Sequence, residues 1–189
     1  MGAAAIVRRF DVQLADSDRG VYEALELRTA QHPSESPRYL VARVLARALE
    51  HDDGVEFSRG LAEAEDPALW QRDLSGSLRA WIEVGAPSPA RLHRAQKACP
   101  RVVVYGWKAV PRLAEDVVTE RVHRASELTL YALDPALLDA LASGLDRQQR
   151  WDVSVAGGVL YVGVGGQTHE GAVTRVPVAA QHGVREPKE

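Results

Sequence analysis

The chain of 189 residues holds a single cysteine, Cys99, so no disulfide can form within it. A fold that does without disulfides suits a reducing cytoplasm, and a lone cysteine on a helix reads as a small buried hydrophobe rather than a nucleophile. Long apolar runs are also missing: none approaches the ~20 residues that span a bilayer, which predicts no membrane partner. The start, Met1-Gly2-Ala3-Ala4-Ala5-Ile6-Val7-Arg8-Arg9, places its charges after a short apolar stretch and so does not read as a secretory signal. There is no surplus of positive charge; the formal net charge is −3. That argues against coating nucleic acid over a broad surface, although a local basic groove beside an acidic site remains compatible with it. None of the six histidines has zinc-ligand spacing. No Lys-Ser/Thr follows Gly163-Val164-Gly165-Gly166, which therefore reads as a β-turn and not a phosphate cradle. What is present is ordinary globular material, 46% hydrophobic and 26% charged, without repeats or low-complexity tracts. It suits one domain over residues 1–180, with a polar tail at 181–189 expected to be disordered.

Periodicity supplies the elements. Strands over 4–14 and 21–29 flank Asp16-Ser17-Asp18-Arg19-Gly20 and form an N-terminal hairpin. Ser34 or Ser36 caps a helix with Pro37 in its first turn. That helix runs to Glu50 with Leu40, Val41, Val44, Leu45, Ala48 and Leu49 on one face. Arg43, Arg47 and His51 line the other side, which reads as solvated. Asp52-Asp53-Gly54 is a turn, followed by a short strand at 55–57. Helices are expected at 88–99, 110–124 and 135–143, with strands at 101–105 and 128–133 between them. The unbroken apolar run Val102-Val103-Val104 suggests a strand covered on both faces, and the strand–helix alternation suggests parallel pairing. Strands near 150–155, 159–164 and 172–178 close the chain as an antiparallel unit turned at Ala156-Gly157-Gly158.

The chemistry gathers at a hairpin. A tight turn at Ser75-Gly76 sets Trp70 opposite Trp81 and Ala68 opposite Glu83. Glu83 is the one carboxylate in an otherwise apolar strand, and the helix that follows carries Arg91, Arg94 and Lys97. Burying a lone charge is costly, so Glu83 needs a partner. Two partners fit: Arg91 or Arg94 in a buried ion pair, or a divalent cation held by oxygen ligands. The four tryptophans read as core or rim packing rather than base-stacking platforms.

Three stretches carry a family resemblance: Gln31-His32-Pro33-Ser34-Glu35, Pro67-Ala68-Leu69-Trp70, and Trp81-Ile82-Glu83-Val84-Gly85-Ala86-Pro87 followed by Val102-Val103-Val104-Tyr105. Together they resemble the bacterial YaeQ family, from Ile6 to about Val178. That family is similar in fold to the PD-(D/E)XK nucleases, with a variant active site. The resemblance implies an α/β restriction-endonuclease-like domain: a mixed central sheet flanked by helices, with additional antiparallel strands. It implies Glu83 as the acid of the second hairpin strand and Glu35 as the added acid of the first long helix. Two positions depart from the superfamily pattern. Ala68 stands where the first aspartate belongs, and Gly85 where the lysine belongs. Asp66 or Asp73 would then replace the aspartate, and Arg91, Arg94 or Lys97 the cation. Two functions follow as expectations. One is a Mg²⁺- or Mn²⁺-dependent phosphodiesterase acting on nucleic acid; the other is a non-catalytic module that keeps the scaffold to bind nucleic acid or a protein.

Overall fold

A computed structural model describes residues 5–59 and 63–179, so the expectation for the tail at 181–189 lies outside the described residues. Strands β1 (Ile6–Asp16) and β2 (Val21–Gln31) pair antiparallel in one unbroken register, from Asp16 opposite Val21 to Ile6 opposite Gln31. Their burial alternates: Phe10, Val12 and Leu14 with Leu25 and Leu27 face the core, as a pleat demands. Helix α1 (Pro37–Leu49) starts on Ser36, whose side chain accepts the Tyr39 N–H. Every residue from Leu40 to Ala46 is buried. A helix buried all round belongs inside a fold, and here the expected solvated face is corrected. Arg43 is only 1% exposed, while Arg47 is half-buried and donates to His51 Nδ1 at 3.0 Å.

Strands β3 (Val55–Phe57), β4 (Leu69–Arg72) and β5 (Leu78–Val84) form a meander, and helix α2 (Pro89–Ala98) follows, capped by Ser88. Then come β6 (Arg101–Gly106), α3 (Val110–Thr119), β7 (Thr129–Leu133), α4 (Pro135–Ser143), β8 (Gln148–Ala156), β9 (Val159–Val164) and β10 (Gln167–Val176). All ten strands join one mixed sheet in the order β2-β1-β8-β9-β10-β7-β6-β5-β4-β3. The pairs β5–β6, β6–β7 and β1–β8 are parallel and the rest antiparallel. Helix α1 packs on β1 near one end of that order and on β3 at the other, so the sheet curls around it. One core fills the curl. A second lies on the outer face, where Leu92, Ala95 and Cys99 of the α2 region meet Val102 and Val104 of β6 and Val117 of α3. Strand β6 is thus covered on both faces, as its apolar run predicts.

Two local details depart from expectation. Helix α3 stops at Thr119, five residues short of the predicted end at Arg124, because Arg121 takes a left-handed φ of 55° and the Val122 N–H turns back to Val117 O. In the β4–β5 hairpin Trp70 does oppose Trp81, but Arg72 opposes Leu78. Arg79 is the extra residue of a bulge, and the predicted two-residue turn becomes a longer one closed from Asp73 N–H to Ser77 O at 3.0 Å. Gly54 holds the neighbouring turn with φ of 76°; a Cβ there would meet Arg72 O at 2.0 Å. No helix among the described residues is long and apolar enough to cross a membrane.

Candidate functional site

Glu83 occupies the last turn of the pleat before β5 ends, and the cap of α2 follows at Ser88. The short connection brings the first turn of α2 back over the strand. Glu83 is 4% exposed, and its Oε1 accepts from Trp81 Nε1 and Arg91 Nε, each at 2.6 Å. Arg91 also bonds the chain through its other two nitrogens: Nη1 to Ala64 O at 2.6 Å and Nη2 to Asp66 O at 2.5 Å. Its guanidinium also lies 5.9 Å from the Trp81 ring centroid. Of the two arginines, then, Arg91 is the partner of Glu83. Arg94 points outward to Glu65 at 3.3 Å, with both side chains exposed, and Lys97 is exposed in the last turn of α2.

Glu35, expected beside Glu83, lies elsewhere. It is 3% exposed, takes the His32 N–H at 3.1 Å, and pairs with Arg43 at 3.2 Å. Arg43 also bonds the Thr29 hydroxyl of β2 and sits 5.3 Å over the Phe57 ring of β3. This pair closes the gap between the two ends of the curled sheet rather than facing a cleft. Asp73 is held at the far end of the hairpin, where it accepts from Ser75 N, Ser75 Oγ, Ser77 N and Arg79 Nε. The Ser75 hydroxyl and the turn amides hold its carboxyl below the usual range.

The structure does gather Glu83, Arg91 and Asp66 around one open cleft of about 360 Å³, with Tyr39, Glu63 and Pro67 completing the wall. Tyr39 is the residue that sequence reasoning missed. It lies in the first turn of α1, and no spacing rule singles out a tyrosine there. Both ion pairs act on it electrostatically, and its phenol is pushed up to about 12 by burial and then by the Glu83 charge. Gly85 backs onto that ring; a Cβ would lie 3.5 Å from Tyr39 Cε2. No bond among the described residues reaches Glu83 Oε2 or the Tyr39 hydroxyl. Both are available to a ligand.

A family model described as YaeQ protein matches residues 1–173. The chain belongs to the YaeQ family. It is 27% identical to the YaeQ protein of Escherichia coli over 164 residues, covering 86% of this chain and 90% of that protein. The crystal structure of YaeQ from Xanthomonas axonopodis pv. citri superposes with a TM-score of 0.81 at 34% identity, covering 92% of this chain and 99% of that one. YaeQ from Pseudomonas syringae gives 0.83 at 29%, covering 90% and 95%.

In this YaeQ chain the described residues at the cleft do not by themselves assemble a Mg²⁺ ligand set. Among the described residues no group of three or more His, Cys, Asp or Glu side chains stands close enough to hold a metal ion. Ala68 offers no ligand, and Glu83 Oε1 is already committed to Trp81 and Arg91, which leaves that carboxylate one oxygen to give. Burial instead sets the titration of Glu83. Its carboxyl is pushed above the ordinary value of 4.5 by burial, while Trp81 and Arg91 pull it partly back. Because the folded state holds this proton more tightly, Glu83 adds stability below its unfolded pKa and loses that share as pH rises through the folded one. Burial raises the Glu35 carboxyl as well, with the same sign. Urea midpoints measured between about pH 4 and about pH 7 are expected to fall further with pH, or rise less, in the wild type than in Glu83→Gln, because the substitution removes this declining share. An unchanged slope in the variant would remove Glu83 as its source.

Proposed function

We propose that this family member is a non-catalytic binding module on a nuclease-like hairpin frame, and that its cleft receives a basic side chain from a protein partner. The order α1–β3–β4–β5–α2–β6 supplies the frame, with the hairpin acid on β5 and a basic helix behind it. The observation that carries the proposal is the commitment of Arg91. Each of its three nitrogens already bonds the chain, at Glu83 Oε1, Ala64 O and Asp66 O, and its charge is matched by Glu83, so among the described residues lining the cleft no uncompensated cation faces a phosphate. What it does offer is acceptors: Glu83 Oε2, the Tyr39 hydroxyl and Asp66 on the same wall, with Glu63 beside them paired at the surface to Arg59. Such a lining repels a phosphodiester and suits an ammonium or guanidinium, which gains charge-assisted hydrogen bonds there.

Trp81, bonded directly to Glu83, provides a fluorescence reporter. Titration with a tri-arginine peptide should give a saturable, salt-sensitive change that Glu83→Gln weakens by about tenfold, equivalent to about 1.4 kcal/mol. Single-stranded DNA, duplex DNA and RNA with Mg²⁺ or Mn²⁺ should be neither bound nor cut. Metal-dependent cleavage that disappears in Glu83→Gln would overturn the proposal and restore the phosphodiesterase.

A further inference from the structure

The longest strands of the sheet are β1 and β2, and β2 is also its edge. Among the described residues no backbone group outside β1 bonds to its backbone, and no side chain caps that edge. An edge of 11 residues would ordinarily be blunted by a bulge, a proline or a covering loop. Strand β2 contains no proline, and its register with β1 never shifts. The opposite edge of the sheet, β3, is only 3 residues long.

The charges on the outer face of β2 are the second observation. Glu26 stands opposite Asp11 and Arg28 opposite Arg9, so each faces its own sign across the hairpin. Directly opposed like charges destabilise a strand pair. Among the described residues neither Glu26 nor Arg28 makes an ion pair or side-chain hydrogen bond. Opposite charges stand only diagonally across the hairpin, Arg28 to Asp11 and Glu26 to Arg9, whereas the open edge can set a partner directly opposite each.

We infer that β2 is a pairing edge for a second copy of this chain, antiparallel about a two-fold axis through Leu27. In that register Glu26 lies opposite Arg28 of the second copy, and Arg28 opposite its Glu26. On the inner face Leu27 meets Leu27 and Leu25 meets Thr29, while Ala24 meets Ala30 on the outer face. Sliding by two residues in one direction sets Glu26 against Glu26, and in the other Arg28 against Arg28. Charge alone thus selects the register. The pairing is isologous and closes after two copies, because the same strand serves both sides. Its nine paired residues, 23–31, run ~30 Å at ~3.4 Å each. A head-to-tail array through β3 would offer only 3 residues on one side.

Sedimentation velocity across a concentration series of the full chain tests this. The wild type should show a monomer–dimer equilibrium. Glu26→Arg and Arg28→Glu should each weaken dimerisation at least tenfold, and the Glu26→Arg/Arg28→Glu double variant should recover most of it. Circular dichroism confirms that each variant is folded. A wild type that stays monomeric to its solubility limit overturns the inference. So does a dimer indifferent to the single reversals, or one that the double reversal fails to restore.

Discussion

Arg43→Ala should lower the stability of the fold by about 3–5 kcal/mol, the usual cost of removing one partner from a buried ion pair. For a chain of this size that corresponds to a fall in thermal midpoint of roughly 10 °C or more. The cause is what remains behind. Glu35 would keep its carboxylate in the interior with only the His32 N–H to satisfy it, and the Thr29 hydroxyl would lose its donor. The substitution also unties β2 from β3, the two edges between which the sheet curls. Lowering the pH should narrow the gap to wild type, because burial already favours the protonated form of Glu35 and the loss of Arg43 favours it further. The double variant Glu35→Leu/Arg43→Met should recover much of the loss, since an apolar pair of similar volume replaces a buried ion pair at little cost. A cycle of denaturant melts over the two singles and the double measures the coupling. Arg43→Ala within about 1 kcal/mol of wild type would refute this account of the pair.

Arg91→Ala should cost about 2–3 kcal/mol, less than the fully buried case because the Arg91 side chain is 21% exposed and water compensates part of the loss. Three attachments break together: the bond to Glu83, the two bonds to the carbonyls of Ala64 and Asp66, and the contact with the Trp81 ring. Faster amide exchange is expected over 63–67 and the first turn of α2, together with a change in tryptophan emission. Arg91→Lys should rescue little, because an ammonium cannot reproduce the planar fork that reaches three acceptors in different directions. Full rescue by lysine would show that charge, not geometry, holds α2 and the 63–67 segment to β5.

Features that depend on neighbours along the chain were readable from the residues themselves. Ser36, one of the two candidate caps, announced α1 because a cap is a contact across three residues, and in the structure Ser88 and Asp134 cap α2 and α4 in the same way. Alternation between Val159 and Val164 marked β9, and Gly165-Gly166 marked the turn after it. The Trp70–Trp81 pairing was also legible, and it survived an error in the turn, since the bulge at Arg79 absorbs the residue that the longer turn displaces. The burial of Arg43 was not legible. On a helical wheel it lies opposite the apolar face, and only a sheet curled round both sides of α1 turns that position inward.

The same division holds at the cleft. Sequence by itself determined the family, the order of the elements, and the need of Glu83 for a partner, because an acid in an apolar strand cannot remain uncompensated. Tertiary structure decided the rest. It chose Arg91 over Arg94, paired Glu35 with Arg43, kept Asp73 at its turn and, among the described residues, left β2 as an open edge. The reason is physical. Local propensity depends on residues a few positions apart, whereas the partner of a charge depends on which distant elements the curl of the sheet brings within about 3 Å of it.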